Sequence, residues 1–152
     1  TKRLQTTSLQ GPASGYWLLK SEPDVFSWQM LKAKGKSPEG WDGVRNYQAR
    51  NFLRAMKVGD LGFFYHSNDG RAVVGIVEVC KLAHKDSTAK EDAWECVDIR
   101  AVADVPRHVT LDEIKADPKL KDMVLVNNSR LSVQPVTLEE WSYICKLGGV
   151  KA

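Results

Sequence analysis

LGFFYHSNDGRAVVGIVEV, residues 61–79, is the stretch whose reading decides the fold. Two runs rich in aromatic and β-branched residues, 61–67 and 71–79, flank Asn68-Asp69-Gly70. Asp-Gly between such runs signals a β-hairpin, because glycine accepts the left-handed backbone that a tight turn demands. Working outward, YWLLKS (16–21) reads as a first strand stopped at Glu22-Pro23. WECVDIRAV (94–102) reads as another, reached across a polar loop from Lys81 to Ala93. Val124 to Val126 and Leu131 to Val136 complete the strand candidates, with Asn127 to Arg130 as the loop between them.

The helices are short. Ser27 suits an N-cap, with Phe26 and Leu31 spaced as a hydrophobic staple, for a helix reaching about Lys34. Ala49, Phe52, Leu53 and Met56 recur at helical spacing behind a cap at Asn46, with Gly59 as the stop. Thr110 with Glu113 and Thr137 with Glu140 are capping-box pairs, each opening a helix. The second helix would carry Trp141, Ile144 and Cys145 on one face and end at Gly148. Strands outnumber helices, hairpins dominate and no βαβ alternation is visible. The expected class is α+β, a mixed and mostly antiparallel sheet curled towards a barrel with short helices around it.

The chain has 152 residues, of which 43% are hydrophobic, enough for one ordinary globular core. Residues 1–14 lack periodicity and read as a disordered tail, leaving 15–152 as a single domain. Cys80, Cys96 and Cys145 lie far apart beside apolar neighbours and read as reduced, buried thiols. No run approaches the length of a membrane span, so no membrane partner is expected.

Charge is concentrated. The formal net charge is +3, yet 43–58 alone carries Arg45, Arg50, Arg54 and Lys57 without one acid. Among them stand Trp41, Asn46, Tyr47, Gln48 and Asn51, groups that stack or hydrogen-bond in a plane. Arginine both grips phosphate and stacks on bases, so this mixture suits nucleic acid. The plainer alternative is a solvated face with its stems on the core. Trp17 and Trp141 fit core positions, and Trp28 packs at a helix start. Trp41 and Trp94 stand beside polar loops, where two indoles can sandwich a flat ligand.

Signatures of catalysis are largely missing. There is no phosphate-binding glycine loop, nucleophile elbow or zinc-type Cys/His spacing, so neither metal nor cofactor is called for. His84 and His108 read as structural or solvated, while His66 stands at a strand end beside Tyr65 and Ser67. Glu22 and Asp42 are a candidate carboxylate pair, with a turn acid and a cap as the plainer reading.

KSEP (20–23), WDGVRNYQARNFLRAMKVGD (41–60), FYHS (64–67) and SRLSVQPVT (129–137) together resemble the EVE domain family, in order and over nearly the whole chain. The resemblance implies a PUA-like fold, a curled mixed sheet or pseudobarrel related to YTH and ASCH domains. It also implies a non-catalytic module that binds nucleic acid carrying a modified base, 5-methylcytosine or 5-hydroxymethylcytosine above all. Its compartment would be the cytoplasm in a bacterium and the nucleus in a eukaryote. A base read this way leaves the stack, and the pocket must return that cost. By similarity of layout to the aromatic cage of YTH readers, Trp41 is placed as the stacking face, with Trp94 near another tryptophan position. Asp42 is placed as acceptor for an exocyclic amino group. Lys20, Ser21, Asn46, Tyr65, His66 and Ser67 are candidate wall and edge groups. Arg45, Arg50, Arg54, Lys57 and Arg130 are candidate phosphate contacts. KSEP and SRLSVQP also have purely structural readings, as a strand-to-turn transition and as a segment in which Ser129 and Ser132 satisfy backbone groups. Two other classes stay open, an ASCH-like nuclease or base-processing enzyme using His66 or Glu22, and a binder of free nucleosides or nucleotides.

Overall fold

The computed structural model describes residues 15–68 and 70–150. The sequence expectation for 1–14 and Asp69 of the hairpin turn lie outside the described residues. Six strands form one mixed sheet in the order β2-β5-β4-β3-β1-β6. They are β1 (Tyr16–Ser21), β2 (Glu39–Gly40), β3 (Leu61–His66), β4 (Ala72–Lys85), β5 (Glu95–Thr110) and β6 (Val133–Pro135). The sheet does not close: β2 and β6 are its edges.

The hairpin forms as its sequence demands. β3 and β4 pair antiparallel from Leu61 opposite Glu78 to His66 opposite Ala72. Asn68 and Gly70, with φ of 72° and 62°, supply the left-handed turn backbone. β4 and β5 then build a second and longer antiparallel ladder, reaching Lys85 opposite Glu95. The segment 81–85, expected as loop, is therefore strand, because it pairs with 95–98 despite few apolar residues. β1 runs parallel to β3, Ser21 facing His66. The chain between them holds α1 (Trp28–Ala33) and α2 (Tyr47–Ala55), a helical crossover that the sequence reading did not anticipate.

Both faces of the sheet are buried. Trp17, Leu19 and Phe64 point to one core with Leu31, Ala49 and Leu53 of α1 and α2. Leu18, Phe63 and Tyr65, their neighbours along the same strands, point to another. That second core is covered by α3 (Leu111–Ala116), α4 (Val124–Asn127) and α5 (Leu138–Leu147). Alternation along a strand sends successive side chains to opposite faces, so a strand covered on both sides reads as one continuous apolar run. Gly75 is required by a close approach: a Cβ there would lie 2.3 Å from the Trp28 ring.

The caps agree with the sequence. Ser27 and Asn46 accept from the backbone N–H of Met30 and Ala49, and both Thr capping boxes are complete. Four expectations need correction. Val124–Val126 belongs to α4 and not to a strand, since the N–H groups of Val126 and Asn127 donate back to Met123 O. Gly59 does not end α2: the helix stops when Met56 turns extended, and Gly59 takes its left-handed φ of 96° in the following turn. Cys80 is only half-buried, unlike Cys96 and Cys145. Trp41 is on a loop, as expected, but it is packed as a core indole: it is 8% exposed and meets Phe26 and Phe64 edge-on.

Candidate nucleic-acid interface

The parallel pair β1–β3 ends at one level, so KSEP and YHS emerge side by side, with the Ser67 N–H donating to Ser21 O. Across β1, the β6 segment brings the SRLS loop to the same end, where Lys20 N–H donates to Ser132 O. From the opposite side comes 40–45, hung on β5 by the Trp41 N–H to Val97 O bond. KSEP, 40–45 and Ser132 of the SRLS loop line a cavity of about 440 Å3, while YHS stays outside its lining. Its polar walls include Lys20, Ser21, Glu22, Asp42, Arg45 and Ser132, and its apolar surface comes from Val25, Phe26, Trp41 and Val44. This volume lies within the usual range of small-ligand sites.

The loop 40–45 owes its shape to Asp86. This carboxylate is fully buried and accepts from Gly43 N–H at 2.8 Å, Arg45 Nη1 at 3.0 Å, and the N–H and Oγ1 of Thr88 at 2.8 and 2.5 Å. Burial works against its charge, but the bonds from Thr88, Gly43 and Arg45 outweigh that and hold it well below the usual carboxylate range. Gly43, at φ 82°, takes the left-handed bend that points its N–H inward. Asp42 beside it behaves oppositely. Burial, then the charges of Asp86 and Glu39, raise its pKa, with Arg45 opposing.

Lys20 divides this cavity from a second of about 350 Å3, lined by Tyr65, Ser67, Asn68, Arg71 and Ser129 among others. Its Nζ donates to Ser129 O at 2.6 Å and lies 5.8 Å from the Tyr65 ring centre; burial lowers its pKa. Tyr65 is buried, and that burial pushes its phenol up to about 12.

The candidate residues thus divide into groups. Lys20, Ser21, Trp41, Asp42 and Arg45 meet at the first cavity, and Lys20, Tyr65 and Ser67 at the second. Asn46 caps α2. His66 accepts the Trp28 N–H at 3.0 Å, and burial followed by the charge of His108 lowers its pKa. Trp94 lies apart, stacked on Tyr47 with ring centres 4.7 Å apart. Arg50 and Arg45 sit over the outer faces of these rings, at 4.9 Å from Tyr47 and 5.7 Å from Trp94.

The basic helical face is largely engaged. Arg54 Nε pairs with Glu95 at 2.5 Å, and Arg50 donates to Ala93 O and Asn51 Oδ1. Lys57 and Arg130 are exposed. Glu22 and Asp42, considered as a carboxylate pair, line the same cavity. Ser129 and Ser132 contribute backbone carbonyls, which Lys20 engages.

Sequence reasoning missed Asp86 and Gln134. Gln134 is fully buried on β6, and its Nε2 donates to Leu131 O at 2.8 Å, holding the SRLS loop. Asp86 is a lone acid in a polar segment, and Gln134 lies within SRLSVQP as a glutamine in an apolar run, so the available signals are faint. Among the described residues, one group of metal-ligand type comes together, His84, Cys96 and Asp98. No described helix is long and apolar enough to cross a membrane.

Comparison with known proteins agrees with this layout. Residues 15–147 match the EVE domain. Mouse thymocyte nuclear protein 1 is 42% identical over 166 residues, covering 88% of this chain and 74% of that protein. A crystal structure from Agrobacterium tumefaciens superposes with a TM-score of 0.87 at 63% identity, covering 89% of this chain and 93% of that one. Human THYN1, solved in complex with DNA containing 5-methylcytosine, gives 0.83 at 40% identity, covering 90% and 99%. The YTH domain of a Zygosaccharomyces rouxii protein gives 0.55 at 20% identity over 90% and 88%, a likeness of fold alone, the PUA-like one. With three of its four motifs gathered on one cavity and the family match running from 15 to 147, the chain belongs to the EVE domain family.

Proposed function

We propose that this protein binds nucleic acid and reads a modified base, cytosine carrying a 5-methyl or 5-hydroxymethyl group, flipped into the cavity between KSEP and 40–45. The observation that carries the reading is the convergence of three separate motifs on one cavity with both apolar and polar lining. The human relative solved with 5-methylcytosine-containing DNA lends the substrate class. A flipped base costs a few kcal/mol of lost stacking, which the site must return. In this reading Trp41 and Phe26 give the apolar wall that receives the ring and its methyl group. Asp42, ionised, accepts from the exocyclic amino group, and Ser21 and Lys20 face the remaining polar edge. Arg45 at the rim and Arg71 in the second cavity are positioned for the flanking phosphates.

The function is binding rather than turnover. His66, the histidine that an acid–base mechanism would use, is occupied by the Trp28 N–H and lies outside the lining of the first cavity.

The test is a fluorescence titration with matched oligonucleotides containing cytosine, 5-methylcytosine or 5-hydroxymethylcytosine, as DNA and as RNA, at two salt concentrations. Preference for a modified strand that survives added salt is expected, since base contacts release no counterions while phosphate contacts do. Indifferent binding that salt abolishes would refute the pocket.

A further inference from the structure

Behind Gly40, on the side of the sheet away from the cavity-lining indole, three groups of different chemistry lie together. His84 is the cross-strand partner of Cys96, and Asp98 is two residues further along β5, on the same face. The ligand atoms of all three lie within 4.8 Å of one another. His84 Nε2 is 2.9 Å from Asp98 Oδ1 and 3.9 Å from Cys96 Sγ. A Cβ at Gly40 would sit 3.5 Å from Asp98 Oδ1 and 3.9 Å from Cys96 Sγ, so the missing side chain keeps that flank uncovered.

We propose that His84, Cys96 and Asp98 form a metal site for a zinc-type divalent cation, with a fourth position left for water. One imidazole, one thiolate and one carboxylate suit a borderline-soft ion such as Zn2+ rather than the all-oxygen shell of calcium or magnesium. Tetrahedral zinc, with bonds near 2.3 Å to sulfur and 2.0 Å to nitrogen and oxygen, sets ligand atoms about 3.3–3.6 Å apart. The two His84 separations reach that by shifts of roughly half an ångström, and the Cys96–Asp98 pair has to close from at most 4.8 Å.

The hydrogen bonding of His84 points the same way. Its Nδ1 is 3.3 Å from Lys85 O, an acceptor that can take the Nδ1 proton and leave Nε2 free to ligate. Nε2 and the Asp98 carboxylate then offer a nitrogen and an oxygen ligand 2.9 Å apart to one ion. A ligating histidine whose other N–H is held by a backbone carbonyl is the usual arrangement around zinc. The β4–β5 register shifts twice between Val79 and His84, and a bound ion would staple the ladder beyond those slips.

The test uses the full chain, freed of metal by a chelator and titrated with Co2+. One equivalent should give tetrahedral d–d bands and a near-ultraviolet thiolate charge-transfer band, both displaced by Zn2+. Cys96→Ala should abolish the charge-transfer band, and Asp98→Asn should weaken binding at least about tenfold. Cys80→Ala should change neither. A wild-type chain without the charge-transfer band, or a band that persists in Cys96→Ala, overturns the site. Should Cys96→Ala lose its circular-dichroism melt, Asp98→Asn and His84→Gln decide; unchanged Co2+ affinity in either overturns it, and the pair is then an imidazolium–carboxylate contact.

Discussion

The cavity loop 40–45 and the cationic face of α2 are continuous in sequence, yet the fold treats them in opposite ways. On α2, Arg54 is met by Glu95 from β5 and Arg50 by the Ala93 carbonyl, so charge that stood unopposed along the chain is opposed across space. In the loop, the buried Asp86 takes up Gly43 and Arg45 and leaves Asp42 facing the cavity with a raised pKa. Concentrated charge in a sequence is therefore no measure of free charge; the partner strand decides what remains for a ligand.

Substitutions can break that contrast, beginning with the largest effect. Trp41→Ala removes a buried indole that packs on Phe26 and Phe64, and should cost about 3–5 kcal/mol of stability in denaturant unfolding. The sharper probe of the cavity is Trp41→Phe, which keeps an aromatic ring and should weaken modified-strand binding with a smaller loss of fold. Asp86→Ala should come next, at about 3 kcal/mol, because it leaves two backbone N–H groups and a guanidinium without their acceptor. Its loss of base preference, measured on the folded fraction, would show that the loop is shaped from outside the cavity.

Asp42→Asn should change binding more than stability. Loss of a charged acceptor is worth roughly tenfold in affinity for a cytosine-type base. Its sign in stability is the reverse of that for Asp86. A carboxyl whose folded pKa is raised binds more protons when folded, so stability declines as pH rises through that pKa. Neutralising Asp42 should therefore leave stability equal or slightly higher at neutral pH. Binding to wild type should weaken as pH falls through the raised Asp42 pKa, and Asp42→Asn should flatten that profile.

The smallest effect belongs to the helix face. Arg54→Ala should cost less than about 1 kcal/mol, since its ion pair is half-exposed. If Arg54 also touches phosphate, the salt dependence of binding should lose about one unit of slope while base preference stays unchanged. A changed base preference would erase the distinction between the two regions.

Much of this could be read from local signals. The Asn68–Gly70 turn, the caps at Ser27 and Asn46 and the two Thr capping boxes each depend on residues a few positions apart, and all formed where expected. The motifs KSEP, WDGVR and SRLS were legible as separate pieces. Their meeting was not, because it depends on the pairing of β1 with β6 and on the Trp41 N–H bond to Val97 O of β5, contacts between residues far apart in the chain. The strand nature of 81–85 was hidden likewise, since that segment is ordered by its partner rather than by its own pattern.

The sequence by itself determined most of the element types, the turn, the caps and the family. Tertiary structure alone decided that Trp41 is part of the core wall, that Glu95 answers Arg54, that Asp86 shapes the loop and that His84 faces Cys96 and Asp98. The physical reason is range: capping and periodicity act over one turn of chain, whereas ion pairing, burial and ligand clusters act between strands whose register only the folded sheet defines.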